Sequence, residues 1–245
     1  MSAPRRPLPA LAMALLVHGA FAFAVGSMAL ALATGMQLGR GTLTGAAAVL
    51  ANLLLIAQFP IVHSFLLSRR GGSVLHRLSP VGHGKTLAIS TYVLSGSLQL
   101  LLTFWLWSPS GDVWHAPAGW TGAVQWTLFA SAWLFLNKAL WDAGLAVQSG
   151  AAGWWALLRG RKVDFGEMPE RGLFATCRQP IYLGFALVLW TAPTWSFDWL
   201  MLASLWTVYC VLGPRLKEAR WQRHYGERFL AYRARVPYMM PRFPR

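Results

Sequence analysis

Arg178, Pro180, Tyr182 and Gly184 fall within seven residues of the stretch CRQPIYLGF (177–185), where a polar segment meets an apolar one. Their types suit the binding of an anion. Pro180 has a fixed φ that fits the first turn of a helix, and it biases the preceding residue toward an extended form. The unpaired N–H groups of such a helix start, with a guanidinium beside them, attract a carboxylate or a phosphate. Tyr182 adds a ring and a hydroxyl, and Gly184 lets another group approach the helix closely. The same residues also describe a plain interfacial helix start, with Arg178 snorkelling and Tyr182 at the water boundary.

Further chemistry-bearing residues lie elsewhere. The tail RLKEARWQRHYGERFLAYRARVPYMMPRFPR contains the carboxylate of Glu218, and Arg235 next to Val236-Pro237. Lys138 and Asp142 are four apart, on one face of a helix; a pair of charges in an apolar segment is either functional or mutually neutralising. His63, beside Ser64, reads as a helix-end histidine bonded to a neighbour or as a base. His18 and His63 in separate spans are a poor basis for a haem clamp. Cys177 and Cys210 suggest no disulfide, and no metal-ligand spacing occurs.

The elements that must position these groups are membrane-length. Of 245 residues, 56% are hydrophobic and 12% charged, against about a quarter charged in a soluble domain. Crossing a bilayer core takes about 20 helical residues. Six apolar segments are read at about 10–34, 43–67, 86–107, 119–147, 180–193 and 196–213. The expected fold is an all-α integral membrane protein in one domain over 1–245. Four N-terminal spans occupy 10–147, and the short fifth segment forms a hairpin with the sixth, turned by Pro193. Trp114, Trp120 and their neighbours read as an interfacial belt. In the tail, Trp221, Tyr225, Phe229, Tyr232 and Val236 make one helical stripe on an amphipathic helix, which Gly226 bends and Pro237 ends. That helix either lies on the bilayer or folds back as a lid.

The net charge of +14 states topology more than a nucleic-acid partner. Arg5 and Arg6, loop 68–85, loop 148–179 and the tail from 214 together hold twenty of the twenty-two Lys and Arg; Arg40 and Lys138 are the others. The positive-inside rule then places both termini in the cytosol, with the excess charge facing anionic lipid. The first apolar run, preceded by Arg5 and Arg6, is too long for a typical signal peptide and reads as a retained span.

The turn 177–185, the hairpin after it and the tail (LKEARW, then HYGERFLAYRARVPY) resemble the integral membrane methyltransferases related to isoprenylcysteine carboxyl methyltransferase. The resemblance is carried by residues 165–240. VHSFLLSRR (62–70), STYVLSGSLQLLLTFWLW (90–107) and Asp142 with Gln148 extend it, and within the group the pattern is most similar to that of methanethiol S-methyltransferases. The resemblance implies S-adenosylmethionine as cofactor, held by Arg178, Gln179, Pro180, Tyr182, Gly184, Glu218, Tyr225 and Tyr232. Arg178 and the helix start would take its carboxylate, Glu218 its ammonium, and Tyr182, Tyr225 or Tyr232 its adenine. Glu218, Arg235 and His63 are the catalytic candidates, with His224 and Asp142 as further possible bases. The implied reaction is methylation of a small or lipophilic thiol; the alternative is an isoprenylcysteine, lipid carboxyl or amine acceptor. The implied location is the bacterial inner membrane.

The chain departs from the family pattern at three places. Gln179 stands where the family usually has His, Lys217 where it has the first Glu of a pair, and Ala139 and Leu140 where an Asn-His pair is expected. Lys217 reverses a charge near a cationic ligand. Gln179 and Lys217 favour a rival reading, a non-catalytic membrane subunit that keeps the scaffold and works with a membrane-protein partner.

Overall fold

The computed structural model describes residues 7–242. Arg5, Arg6 and Arg245, which enter the charge asymmetry, lie outside them. In chain order the elements are α1 (Pro7–Ala33), α2 (Gly45–Leu66), α3 (Arg69–Leu78), α4 (Gly84–Trp105), β1 (Val113–His115), α5 (Gly119–Asp142), α6 (Leu145–Gln148) and α7 (Ala151–Arg159). A 3-10 turn (Gly172–Ala175) follows, then α8 (Pro180–Trp190), β2 (Trp195–Ser196), α9 (Phe197–Tyr225) and α10 (Glu227–Arg235).

Four helices are long and apolar enough to cross a membrane: α1, α2, α4 and α9. The fourth and fifth of the six expected spans do not qualify. α5 has 24 residues, but Gln125, Asn137, Lys138 and Asp142 make it more polar. It ends at Asp142 rather than 147, because Gly144 at φ +89° turns the chain. α8 has 11 residues, about 16 Å of helix against a core of about 30 Å. Loops 68–85 and 148–179 are not plain loops: they hold α3, the short α7 and the 3-10 turn. The sixth segment does not stop at 213, since α9 runs on through the buried Pro214 to Tyr225. Pro214 denies the Cys210 carbonyl its helical donor, and one residue further on the Tyr238 hydroxyl donates to the Val211 carbonyl at 2.7 Å. An expectation of helices alone also missed a short antiparallel pairing, Val113 opposite Ser196 and His115 opposite Trp195.

The described residues of Met1–Ala31, Gln37–Ser110 and Gly144–Gly166 form one compact unit. Its core joins Ala10, Met13 and Val17 of α1 to Leu87 and Val93 of α4 and Leu157 of α7. Lipid offers no hydrophobic drive between helices, so small and polar residues hold them. Gly153 of α7 lies so close to α4 that a Cβ there would stand 2.5 Å from Ser90 Oγ, and Ser90 Oγ donates to the Gly150 carbonyl at 2.7 Å. Gln58 Nε2 of α2 donates to the Gln99 carbonyl and Thr103 Oγ1 of α4. Asn52 exchanges two hydrogen bonds with the Ser108 backbone. His63 is hydrogen-bonded to the Tyr92 hydroxyl and stacks on Phe59. His18 pairs instead with the Trp154 indole N–H, at 3.0 Å.

The second unit comprises the described residues of Leu32–Met36, Gly111–Ala143 and Glu167–Arg245. α5 and α8 pack closely because Gly184 has no side chain: a Cβ there would meet Leu136 Cα at 3.0 Å. Asp142, at the end of α5, forms an ion pair with Lys138 and accepts the Leu173 N–H at 2.9 Å with its other oxygen. Ser196 Oγ caps α9 through the Trp199 N–H and donates to the Gly35 carbonyl. Gly226, at φ +52°, separates α9 from α10. The stripe read across that break does share one core: Phe229, Tyr232, Val236 and Met168, with Trp221 and Tyr225 against them.

Candidate active site

Pro180 opens α8 as its first residue, and the Gln179 carbonyl accepts the Leu183 N–H at 3.0 Å. Just before it, the Arg178 side chain is only 10% exposed and fully engaged. Its Nε donates to Glu218 Oε1 at 2.8 Å and its Nη2 to Oε2 at 3.4 Å. Nη1 donates to the Val236 and Arg233 carbonyls, and the Arg178 N–H donates to the Pro237 carbonyl at 2.9 Å. The guanidinium also lies 5.5 Å from the Tyr238 ring centre. The turn, α9 and the segment after α10 are therefore fastened at one residue. Gln179 adds Nε2 to Glu218 Oε1 at 2.7 Å, while its own Oε1, on a fully buried residue, has no partner among the described residues.

Beside this knot lies a cavity of about 410 Å³, lined by Arg178, Arg215, Glu218, Ala219, Gln222, Arg233 and Tyr238. Three guanidinia face one carboxylate that is already committed. Arg215 and Arg233 make no ion pair among the described residues. Burial raises the Tyr238 hydroxyl above its ordinary range, partly offset by Arg215 beside it. Burial likewise pushes up the Cys177 thiol and the Tyr232 hydroxyl.

Of the residues expected at a cofactor site, Arg178, Gln179, Pro180 and Glu218 come together here. The others are engaged elsewhere. What approaches Gly184 is Leu136. The Tyr232 hydroxyl donates to the Phe174 carbonyl at 2.7 Å, and Tyr225 packs edge-on against Trp221. Tyr182 faces Tyr209 and the Lys217 ammonium. Arg235 reaches Glu170 and the Ala231 carbonyl. His63 belongs to the other unit. Sequence reasoning passed over Arg215, Ala219, Gln222, Arg233 and Tyr238. For the α9 members the signal was present: 215, 219 and 222 follow at the i, i+4, i+7 spacing of one helical face.

The chain is 30% identical over 203 residues to methanethiol S-methyltransferase 1 of Bradyrhizobium diazoefficiens, covering 82% of this chain and 70% of that one. The chain belongs to the methanethiol S-methyltransferase family. It is also 28% identical over 195 residues to the methanethiol S-methyltransferase of Pseudomonas deceptionensis, with 79% and 73% covered. A shorter likeness, 31% over 139 residues, covers 52% of this chain and 48% of Xenopus laevis nurim. No family model matches the chain, and no solved structure does. This member of the methanethiol S-methyltransferase family is thus a helical membrane protein of methyltransferase descent. It carries Lys217 next to Glu218, with the Lys217 ammonium turned onto aromatic rings rather than a carboxylate.

Proposed function

We propose that the chain is an S-adenosylmethionine-dependent membrane methyltransferase acting on a small or lipophilic thiol. The observation that carries the reading is the cavity at the Arg178–Glu218 knot, in a chain whose relatives are named for methylating methanethiol.

The residues fit the cofactor. The volume lies in the range of small-molecule sites, about 300–1,000 Å³. Arg215 and Arg233, free of carboxylates, would hold the cofactor's carboxylate. When bound, the cofactor supplies a methyl group on a cationic sulfur, open to in-line attack. The chain's own contribution is positioning and charge. A thiol reacts as its thiolate, and guanidinia lining the cavity favour that form of a thiol held beside them. Arg178, locked by Glu218 and two carbonyls, keeps the wall rigid, so the acceptor is aligned without reorganisation.

The finer topology belongs to the same proposal. α5 makes a further crossing, and α8 enters part-way as the short arm of a hairpin with α9. Both termini face the cytosol of a bacterial inner membrane. Reporter fusions at Arg242 and in the 108–118 loop would report opposite sides if this holds.

A second reading, a non-catalytic membrane subunit, is favoured by Lys217 and by the full engagement of Glu218, the one carboxylate lining the cavity. Calorimetry on the purified, detergent-solubilised protein separates the two. Micromolar binding of S-adenosylmethionine, with dimethyl sulfide released from methanethiol, is the expected result. Binding weaker than millimolar and no thioether would favour the subunit.

A further inference from the structure

The ammonium of Lys217 has an unusual setting. Nζ stands 4.4 Å from the ring centre of Trp221, 5.4 Å from Phe174 and 5.8 Å from Tyr182. The rings come from α9, the 3-10 turn and α8, so three elements converge on one cation. Lys217 makes no ion pair among the described residues, and the carboxylate next to it in the chain, Glu218, is taken by Arg178 and Gln179. The chain's other lysines, Lys85, Lys138 and Lys162, are exposed, whereas Lys217 is half-buried.

A ring face attracts a cation within about 6 Å of its centre, and more strongly once water is excluded. Three faces around one ammonium, with the neighbouring Glu218 carboxylate committed to Arg178 and Gln179, make a cage that selects for positive charge through ring faces. Such cages favour methylated onium ions, the recurring ligands of aromatic boxes. Phe174 is buried at the back, while Trp221 and Tyr182 are half-buried, so one side is open. The flexible four-carbon stem of a lysine can carry its head out to water.

We propose that Phe174, Tyr182 and Trp221 form a binding site for a methylated onium group, sulfonium or quaternary ammonium, that Lys217 occupies as a tethered competitor. The site stands on the ring geometry and goes beyond the methyltransferase reading; it holds whether or not methyl groups are transferred.

The test compares the full chain with Lys217→Ala, Lys217→Gln and Lys217→Ala/Trp221→Ala in detergent, titrated calorimetrically with trimethylsulfonium, tetramethylammonium and neutral tert-butyl alcohol. Lys217→Ala should bind both cations at least tenfold tighter than the native chain, without a matching gain for the alcohol, and the second substitution should remove the gain. An unchanged affinity, or an equal gain for the alcohol, overturns the proposal. Titration with S-adenosylmethionine identifies the source of the onium. A parallel gain in Lys217→Ala assigns the cage to the cofactor's sulfonium; a gain for the small ions alone assigns it to a separate ligand.

Should both single variants fail to fold, acylation of the native chain read by mass spectrometry gives an independent answer. Trimethylsulfonium should speed acylation of Lys217 selectively over Lys85, Lys138 and Lys162, and tert-butyl alcohol should not. No response to the cation, or an equal response to the alcohol, overturns the cage.

Discussion

Arg178 and Glu218 form a buried pair, Nε to Oε1 at 2.8 Å, with side chains 10% and 12% exposed. The pair binds more than two charges. Arg178 also holds the Val236 and Arg233 carbonyls and, through its backbone, Pro237. An arginine expected to greet a ligand is spent on closing the chain around the place where a ligand would sit.

Breaking such a pair from one side leaves a buried charge alone, at a cost of about 3–5 kcal/mol. Glu218→Ala should therefore lower stability by about that amount in a denaturant or SDS titration. Arg178→Met with Glu218→Leu should recover a large part, since neither charge remains. A double variant no more stable than Glu218→Ala would mean that the carbonyl contacts, not the pair, dominate.

Asp142 and Lys138 form an ion pair of unequal members, the lysine side chain 56% exposed and the aspartate 10%. Asp142 also accepts the Leu173 N–H. Asp142→Ala should cost about 2–3 kcal/mol, from the pair and the orphaned N–H, whereas Lys138→Ala should cost less than about 1 kcal/mol. Thermal unfolding of both variants side by side checks the asymmetry; equal losses would contradict it.

Burial raises the Cys177 thiol above its ordinary value of 9.0 and the Tyr232 hydroxyl above 10.0. A group with a raised folded pKa contributes stability that is complete below its unfolded pKa and is lost as pH climbs through the folded one. Stability should be flat near neutrality and fall from about pH 9 upward. Cys177→Ala with Tyr232→Phe should shift the start of that fall to higher pH. At pH 7.5 the native chain should resist iodoacetamide, because Cys177 and Cys210 are both buried, and two thiols should label on unfolding.

Arg215 and Arg233 line the cavity without carboxylate partners. Replacing either by Ala should weaken S-adenosylmethionine binding about tenfold or more, the loss of one charge-assisted hydrogen bond. Arg70→Ala, on α3 of the other unit, should leave it unchanged. Calorimetry reads both, and equal affinities in all three variants would move the cofactor away from this cavity.

How much was legible depended on whether the cause was local. α1, α2 and α4 lie within about three residues of their expected bounds, because bilayer thickness forces uninterrupted apolar runs. α3 and α7 were hidden in stretches read only for charge. The onward course of α9 past Pro214 was hidden because a proline reads as a stop, while here the helix runs on with Pro214 buried. At the site, Arg178 and Glu218 carried strong signals. The partners of Arg178 in the tail are backbone carbonyls, which leave no trace in residue identity. The Lys217–Trp221 spacing is local, but the cage needs Phe174 and Tyr182, brought in by folding. Gly184 was read as a place of close approach, and the visitor is Leu136.

α9 has 29 residues, about 44 Å of helix, some 14 Å more than a hydrocarbon core of about 30 Å. Its surplus carries Arg215, Glu218, Ala219 and Gln222. The wall of the cavity is thus the overhang of a membrane anchor, joined to it in one continuous helix through Gly213 and Pro214. Lipid composition becomes a variable of the site. A thicker bilayer should draw this overhang toward the headgroups and a thinner one lift it clear, so ligand affinity measured in nanodiscs should track acyl-chain length.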